Sequence, residues 1–355
     1  MIYNNENYLE GVKAQKCFPQ NCHFSESVYY VIESGEKDFN SIFQAVGIAE
    51  LNSFVEGVEL LEEAVDVKAL QNSIVEWFKN QWARIKGMYD EFVKKIKESA
   101  DNFKKNVHQK LESAGIKVEE FLKKVEFDPE KVYYKGYEFK EDLVSRFMTV
   151  SAQDICNDIT QAAVKFDTDL NAGVKDAEEI CKKTLDAAIN RAKKNAVSKD
   201  DASLAEVKQA HIEKFRSEKK DHEYKGSWIK ENLISIWKEC IDFGTVKKSI
   251  KELYKNDEKA INAAIKSVKK LHKGATLRMT AGALKDVVSV YSVMSSAHMQ
   301  VLQSKHQMNM SIVMKALVAG RAPKKEEKKE EAVNASAITV PSTNQTELIE
   351  SLFAW

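Results

Sequence analysis

The sequence predicts an all-α protein whose long amphipathic helices form an elongated bundle. Only 4 prolines and 13 glycines interrupt the 355 residues. A chain so poor in helix breakers, and rich in lysine, glutamate and alanine, favours long helices over a β-sandwich or an α/β enzyme with many glycine-rich loops. Apolar residues also recur with a helical period over two long stretches, as amphipathic helices require.

The first helical stretch lies in residues 64–126. Its apolar residues recur every three or four positions from Val67 to Leu111, which corresponds to about twelve turns. Asp128-Pro129 ends the pattern. We therefore assign residues 64–126 to one long amphipathic helix, which must lie against other long helices or against copies of itself.

A short connector, residues 127–150, separates this helix from the rest. Residues 132–139 alternate between apolar and polar side chains around Lys135-Gly136. Alternation about a Lys-Gly turn indicates a β-hairpin. We expect this to be the one small β-hairpin of the protein.

Residues 151–320 are predicted to form a helical bundle. Ser151 precedes a second apolar stripe from Ile155 to Ala192 that includes Leu170, Val174 and Ile180. Further helices are expected at about 201–220, 227–242, 245–272 and 276–320. The last is rich in Ser, Ala, Val and Met and carries few charges after Asp286. Such a helix is buried on all sides or packed on a partner.

The two ends differ in charge from the body. Residues 1–63 carry 3 lysines against 11 acidic residues, a net charge of −8, whereas residues 64–320 carry 46 basic and 37 acidic residues. We interpret residues 1–63 as a flexible acidic targeting segment or propeptide, and residues 321–355 as a charged disordered tail. Opposite charge in two segments suggests different partners, or a segment that is temporary.

No pattern in the sequence indicates catalysis. It contains no GxGxxG, GxxxxGK[ST] or GxSxG motif, which dinucleotide sites, phosphate loops and nucleophile elbows use. The one Cys/His cluster, Cys17-x4-Cys22-His23, lacks the second ligand pair of a structural zinc site. We therefore expect no enzyme activity, metal, cofactor or small-molecule substrate.

Compartment and membrane signals are also weak. The N-terminus lacks a basic-then-apolar signal peptide, and no apolar run reaches the length of a membrane-spanning helix. Five scattered cysteines indicate a reducing compartment rather than a disulfide framework. Cys156, Cys181 and Cys240 are expected on or beside apolar helix faces as small hydrophobic residues, and His298 and His306 are expected in the core or at an interface.

A short motif marks the point where the charge changes sign. Leu61-x-Glu63 is followed by Ala64, and the same pattern occurs at Ile48-x-Glu50 and at Leu348-x-Glu350. It resembles the Leu/Ile-x-Glu sites that prohead proteases cut in bacteriophages with contractile tails. Four further matches fall inside predicted helices, at Ile96-x-Glu98, Leu204-x-Glu206, Ile229-x-Glu231 and Ile250-x-Glu252. Position favours Glu63 and Glu350, because a protease binds an extended chain.

The acidic amphipathic segment before Glu63 resembles the capsid-targeting sequences of internal head proteins in such phages. The resemblance implies a virion structural protein of the head interior, made in the host cytoplasm as a precursor and cleaved after Glu63. Its implied partners are capsid or scaffold proteins, the prohead protease and further copies of itself. Because its lysines alternate with glutamates, only non-specific contact with double-stranded DNA is expected.

An alternative is a helical membrane-active or exported bacterial protein of the pore-forming type. In that case the helix rich in Met, Ser and Ala would insert into the bilayer.

Overall fold

The computed structural model describes residues 67–112, 117–140, 143 and 151–320. These residues form eight helices and two strands, in the order α1 (Val67–Glu112), α2 (Val118–Lys124), β1 (Tyr133–Gly136), α3 (Ala152–Asn171), α4 (Ala177–Lys193), α5 (Leu204–Phe215), β2 (His222–Lys225), α6 (Gly226–Asp242), α7 (Gly244–Val268) and α8 (Gly274–Ala319). Helices make up 78% of the described residues. The predicted all-α class is therefore confirmed.

Helix α1 forms one wall of the bundle. Its apolar stripe is buried from Leu70 to Leu111, because residues three or four positions apart share one face of a helix. The other face carries charged pairs such as Glu91 and Lys95, 3.4 Å apart. The helix ends earlier than predicted, since Lys117 has extended backbone and α2 is a separate helix.

Helix α8 is the axis of the bundle. It packs against α1, α3, α4, α5, α6 and α7, and its side chains are buried on several faces. Its first half joins one apolar cluster with α1, α3, α4, α5 and α7, and its second half joins another with α2 and α6. This confirms the predicted burial of the Met- and Ser-rich helix.

Four hydroxyl groups on α8 are satisfied within the helix itself. The hydroxyls of Thr280, Ser289, Ser304 and Ser311 donate to the carbonyl oxygen four residues earlier, over 2.6–2.9 Å. Burying a hydroxyl without such a bond is costly. Back-bonding thus allows a serine-rich helix to be enclosed by apolar neighbours.

Helices α3 and α4 form an antiparallel pair where the sequence predicted one continuous stripe. The chain reverses at residues 172–176, where Gly173 and Asp176 adopt positive φ angles of 69° and 64°. Positive φ is tolerated by glycine and, among other residues, best by Asn and Asp. The reversal leaves Leu170, Val174 and Ile180 exposed, so their predicted place in the core is wrong.

The small antiparallel β element is present, but its second strand comes from elsewhere in the chain. Residues 133–136 pair with residues 222–225, and Lys135 lies opposite Glu223 rather than in a turn. Phe139 and Arg216 extend the pairing by one bridge. The pair thus ties the connector after α2 to the segment between α5 and α6.

The predicted flexible acidic segment and the disordered tail lie outside the described residues. The same holds for Cys17, Cys22 and His23. The buried thiols of Cys156, Cys181 and Cys240 confirm the predicted role of these residues as small core side chains.

Candidate functional site

The predicted cleavage residues lie outside the described part of the chain. They are Leu61, Glu63, Ala64, Ile48, Glu50, Leu348 and Glu350. The first described helix begins at Val67 and the described body ends at Gly320. The structure describes every other match to the same motif between Val67 and Gly320.

Each competing match within the described residues lies in a helix. Ile96, Ile229 and Ile250 are buried, with 0%, 0% and 6% of their surface exposed. A fifth match, Ile74-x-Glu76 in α1, was missed from the sequence, and Ile74 is 1% exposed. A protease that reads the isoleucine side chain in an extended strand would have to unfold the helix to reach it.

Leu204-x-Glu206 also lies in a helix, but its leucine is exposed, unlike the isoleucines of the other matches. Leu204 is 37% exposed at the first turn of α5. The Glu206 carboxylate accepts from the Ser203 backbone N–H at 2.7 Å and from the Lys199 ammonium at 3.0 Å, and the Glu206 backbone N–H donates to Ser203 Oγ. These hydrogen bonds lower the pKa of Glu206 to about 2. The glutamate is thus held in a capping box at a helix start.

A buried carboxylate joins the wall helix to the axis helix. Asp257 in α7 is 2% exposed. It accepts from the Tyr89 hydroxyl of α1 at 2.7 Å and from the Ser295 hydroxyl of α8 at 3.0 Å. Burial raises the pKa of Asp257 to about 6, against the lowering effect of both hydrogen bonds. We refer to these three residues as the aspartate tie.

The aspartate tie was missed in the sequence because Asp257 stands among charged residues, in Lys255-Asn256-Asp257-Glu258-Lys259. Its spacing held a signal. Asp257 lies four residues after Leu253 and three before Ala260, both buried, so it falls on the apolar stripe of α7. Asp257 is 2% exposed and accepts from two hydroxyl donors, so the tie satisfies a buried carboxylate where three helices pack together.

Three histidines are buried on or against α8: His298 and His306, whose burial agrees with the prediction, belong to α8, and His211 belongs to α5. His211 of α5 lies with its ring centroid 5.6 Å from that of His298. The His298 Nε2–H donates to the Leu143 carbonyl oxygen at 3.0 Å. Neither ring nitrogen of His211 has a hydrogen-bond partner among the described residues. Burial lowers the pKa of His211 to about 3 and that of His306 to about 4.

A surface groove of about 400 Å³ runs between α3 and α4. Asp158, Gln161, Lys165 and Asp169 form one side, and Ile180, Thr184, Ala187 and Arg191 form the other. An ion pair between Arg191 and Asp158 crosses it. Its floor includes the buried thiol of Cys181, whose pKa is raised by burial and by Asp167. A thiol with a raised pKa is a poor nucleophile.

The described residues contain neither a metal site nor a membrane-spanning helix. Among the described residues, no group of three or more His, Cys, Asp or Glu side chains is placed to hold a metal ion. None of the described helices has the length and apolar character needed to cross a bilayer.

The described residues define an all-helical protein with a buried central helix, α8, and a buried polar contact, the aspartate tie. Comparison of the chain with protein-family models, with curated proteins and with solved structures gives no match.

Proposed function

We propose that this chain is an internal structural protein of a tailed-phage head, made as a precursor and cleaved by a prohead protease after Glu63. The observation that carries the proposal is the position of the motif relative to the fold. All five matches between Val67 and Gly320 lie in helices, whereas Leu61-x-Glu63 is separated from Val67 by three residues. Folding therefore protects the competing matches in the body from the protease.

A cut at this junction would leave the start of α1 anchored. The Gln71 side-chain amide donates to the carbonyl oxygens of Val268 and Leu271, at 3.0 and 3.1 Å. Leu70 beside it is 5% exposed. Both contacts lie downstream of Ala64, so the mature chain would keep every described contact of the bundle.

The change in charge suggests what processing would achieve. Removal of residues 1–63 takes away a net charge of −8 and leaves a body in which basic residues outnumber acidic ones. An acidic precursor is suited to assembly with capsid or scaffold proteins, while a basic product tolerates packaged double-stranded DNA. The role is one of assembly and packing.

N-terminal sequencing of the protein from purified particles tests the proposal. We expect Ala64 as the mature N-terminus. Glu63→Gln should block its appearance if the protease pocket reads a carboxylate, and the matched control Glu98→Gln, on the exposed face of α1, should leave processing unchanged. Intact Met1 or Ile2 in mature particles would remove the head-interior assignment.

A second measurement separates this role from the membrane-active alternative. The full chain and the chain cut after Glu63 are each tested for retention of DNA at about 50 mM salt and for release of dye from liposomes. Non-specific phosphate contacts weaken steeply with salt because bound counterions are released. Salt-sensitive retention by the cut chain supports the head role, whereas dye release without retention supports the pore-forming type.

A further inference from the structure

The N-terminal segment leaves the fold at one end of the bundle. Gln71, in the first turns of α1, is bonded to the end of α7 and to the turn between α7 and α8, through Val268 and Leu271. Residues 1–63 are joined to α1 by only three residues, 64–66. Three residues span at most about 10 Å, so the segment starts beside this turn.

The turn is strongly basic. Between Glu258 and Asp286 the chain contains seven lysines and arginines and no acidic residue. We define the lysine turn as the exposed side chains Lys266, Lys269, Lys270, His272 and Lys273. Among the ion pairs of the described residues, this cluster takes part in one, between Lys273 and Asp167 at 3.8 Å. The remaining charges face solvent and attract acidic groups.

An apolar surface adjoins the lysine turn. Asp167 of α3 also accepts a hydrogen bond from the Thr276 hydroxyl at the start of α8, which holds the end of α3 against the turn. Leu170, less than one helical turn beyond Asp167, is 56% exposed, and Val174 is 42% exposed. We call these two residues the hairpin tip. Exposed large apolar side chains such as these gain free energy when a partner covers them.

We propose that the acidic segment of residues 1–63 docks on the lysine turn and the hairpin tip of its own chain. The segment has the opposite charge, −8, and its amphipathic stretches, such as DFNSIFQAV and SFVEGVELL, supply apolar side chains for Leu170 and Val174. Because the segment begins beside the turn, its local concentration there is high. In the precursor it covers this end of the bundle. The release of this cover rests on the proposed cleavage after Glu63.

Zero-length cross-linking of the full, uncleaved chain tests the docking. A carbodiimide joins a carboxylate to an amine only where the two are in contact, and mass spectrometry identifies the pair. We expect the acids of residues 1–63 to be linked to Lys266, Lys269 and Lys270, with yields that fall when salt screens the charges. Links spread evenly over the lysines of the body, or absent from the lysine turn, would overturn the docking.

Hydrogen exchange with matched variants gives a second readout. K266E/K269E/K270E should speed exchange at residues 170–177 by about tenfold, because the cover is lost. The control K124E/K230E/K238E reverses three exposed lysines on α2 and α6, which belong to the apolar cluster of the second half of α8. The control should leave exchange at residues 170–177 unchanged. Equal exchange in the two variants would contradict the proposal.

Isotope mixing distinguishes docking within a chain from docking between chains. Links in an equimolar mixture of ¹⁵N-labelled and unlabelled chains should join like isotopes only, and mixed links would overturn the intramolecular cover. Cleavage is tested separately in particles. If the links form but mature particles retain Met1 or Ile2, the docking stands and its release is refuted; if Ala64 appears without the links, the reverse holds.

Discussion

Helices α1 and α8 have the same length, 46 residues, but they differ in how charged and buried side chains are distributed around them. Helix α1 buries one stripe and keeps a charged face, whereas α8 meets neighbours on several sides and carries one acidic residue, Asp286. Equal length therefore does not mean equal position. The distribution of charge around the helix decides whether it becomes a wall or the axis.

The largest expected effect comes from placing one charge on each helix. Val301→Lys in α8 puts an unpaired ammonium where the side chain is 0% exposed. We expect a loss of about 4 kcal/mol or more in the free energy of unfolding. Asn102→Lys on the exposed face of α1 should change it by less than about 0.5 kcal/mol. Urea denaturation measures both, and equal shifts would refute the distinction between wall and axis.

Acidification should destabilise the packing around α8 before that of α1, because the buried histidines lie on or against α8. The folded pKa values of His211 and His306, about 3 and about 4, lie below the ordinary value near 6.5. The unfolded chain therefore binds more protons between these limits, and stability falls as the pH drops through 6.5. At pH 5 the cost is about 2 kcal/mol for each of the two histidines.

Neighbouring charged and titratable groups also act on the pKa values of these histidines. Lys214 adds repulsion at His211, and His211 disfavours a charge on His298. His211→Leu should reduce the loss of stability between pH 7 and pH 5, whereas His272→Leu, at an exposed position, should not. Thermal unfolding over this range checks the difference, and an unchanged slope in His211→Leu would contradict it.

The aspartate tie links wall and axis, so its removal sharpens the comparison. Tyr89→Phe deletes one donor to a buried carboxylate and should cost about 1–3 kcal/mol. The folded pKa of Asp257, about 6, is raised, and it would rise further without Tyr89. Stability contributed by a raised carboxyl pKa is present at low pH and lost as the pH rises. The cost should therefore be larger at pH 8 than at pH 5. Tyr254→Phe, at a half-buried tyrosine nearby, is the control.

The smallest effect is expected on the charged face of α1. Glu91→Gln removes the ion pair with Lys95, whose atoms are 3.4 Å apart near the surface. Exposed i,i+4 pairs contribute about 0.3–0.5 kcal/mol. Circular dichroism during urea denaturation should show a shift near the limit of detection. A loss above 1 kcal/mol would mean that this face is not simply solvated.

Periodicity predicted the long helices well, because burial of one stripe leaves a regular record in the sequence. The burial of α8 was also predictable from its few charges. The reversal after Asn171 was not, since Leu170, Val174 and Ile180 continue the helical period across a turn. The positive φ angles at Gly173 and Asp176 end the helix, but neither residue type alone requires such an angle.

Contacts between residues that are distant in the chain were the other feature that could not be predicted from the sequence. The partner of residues 133–136 is a four-residue strand more than eighty positions away, and so short a segment carries little pattern. The aspartate tie likewise depends on donors from two distant helices. The Leu/Ile-x-Glu pattern and the helical setting of four of its matches were predictable from the sequence, but the burial of Ile74, Ile96 and Ile229 follows only from how the helices pack.

The back-bonded hydroxyls of α8 have a mechanical consequence. Because these four groups are satisfied inside the helix, the axial register of α8 is set by its other polar contacts, which include Ser295 to Asp257, His298 to Leu143, and Arg216 to Ser304 at 2.9 Å. Two more lie towards the ends of the helix, Thr276 to Asp167 and Lys315 to Tyr133. A slide by one helical turn, about 5.4 Å, would break these contacts together and leave the internal bonds intact, so force along the helix would be resisted over its whole length.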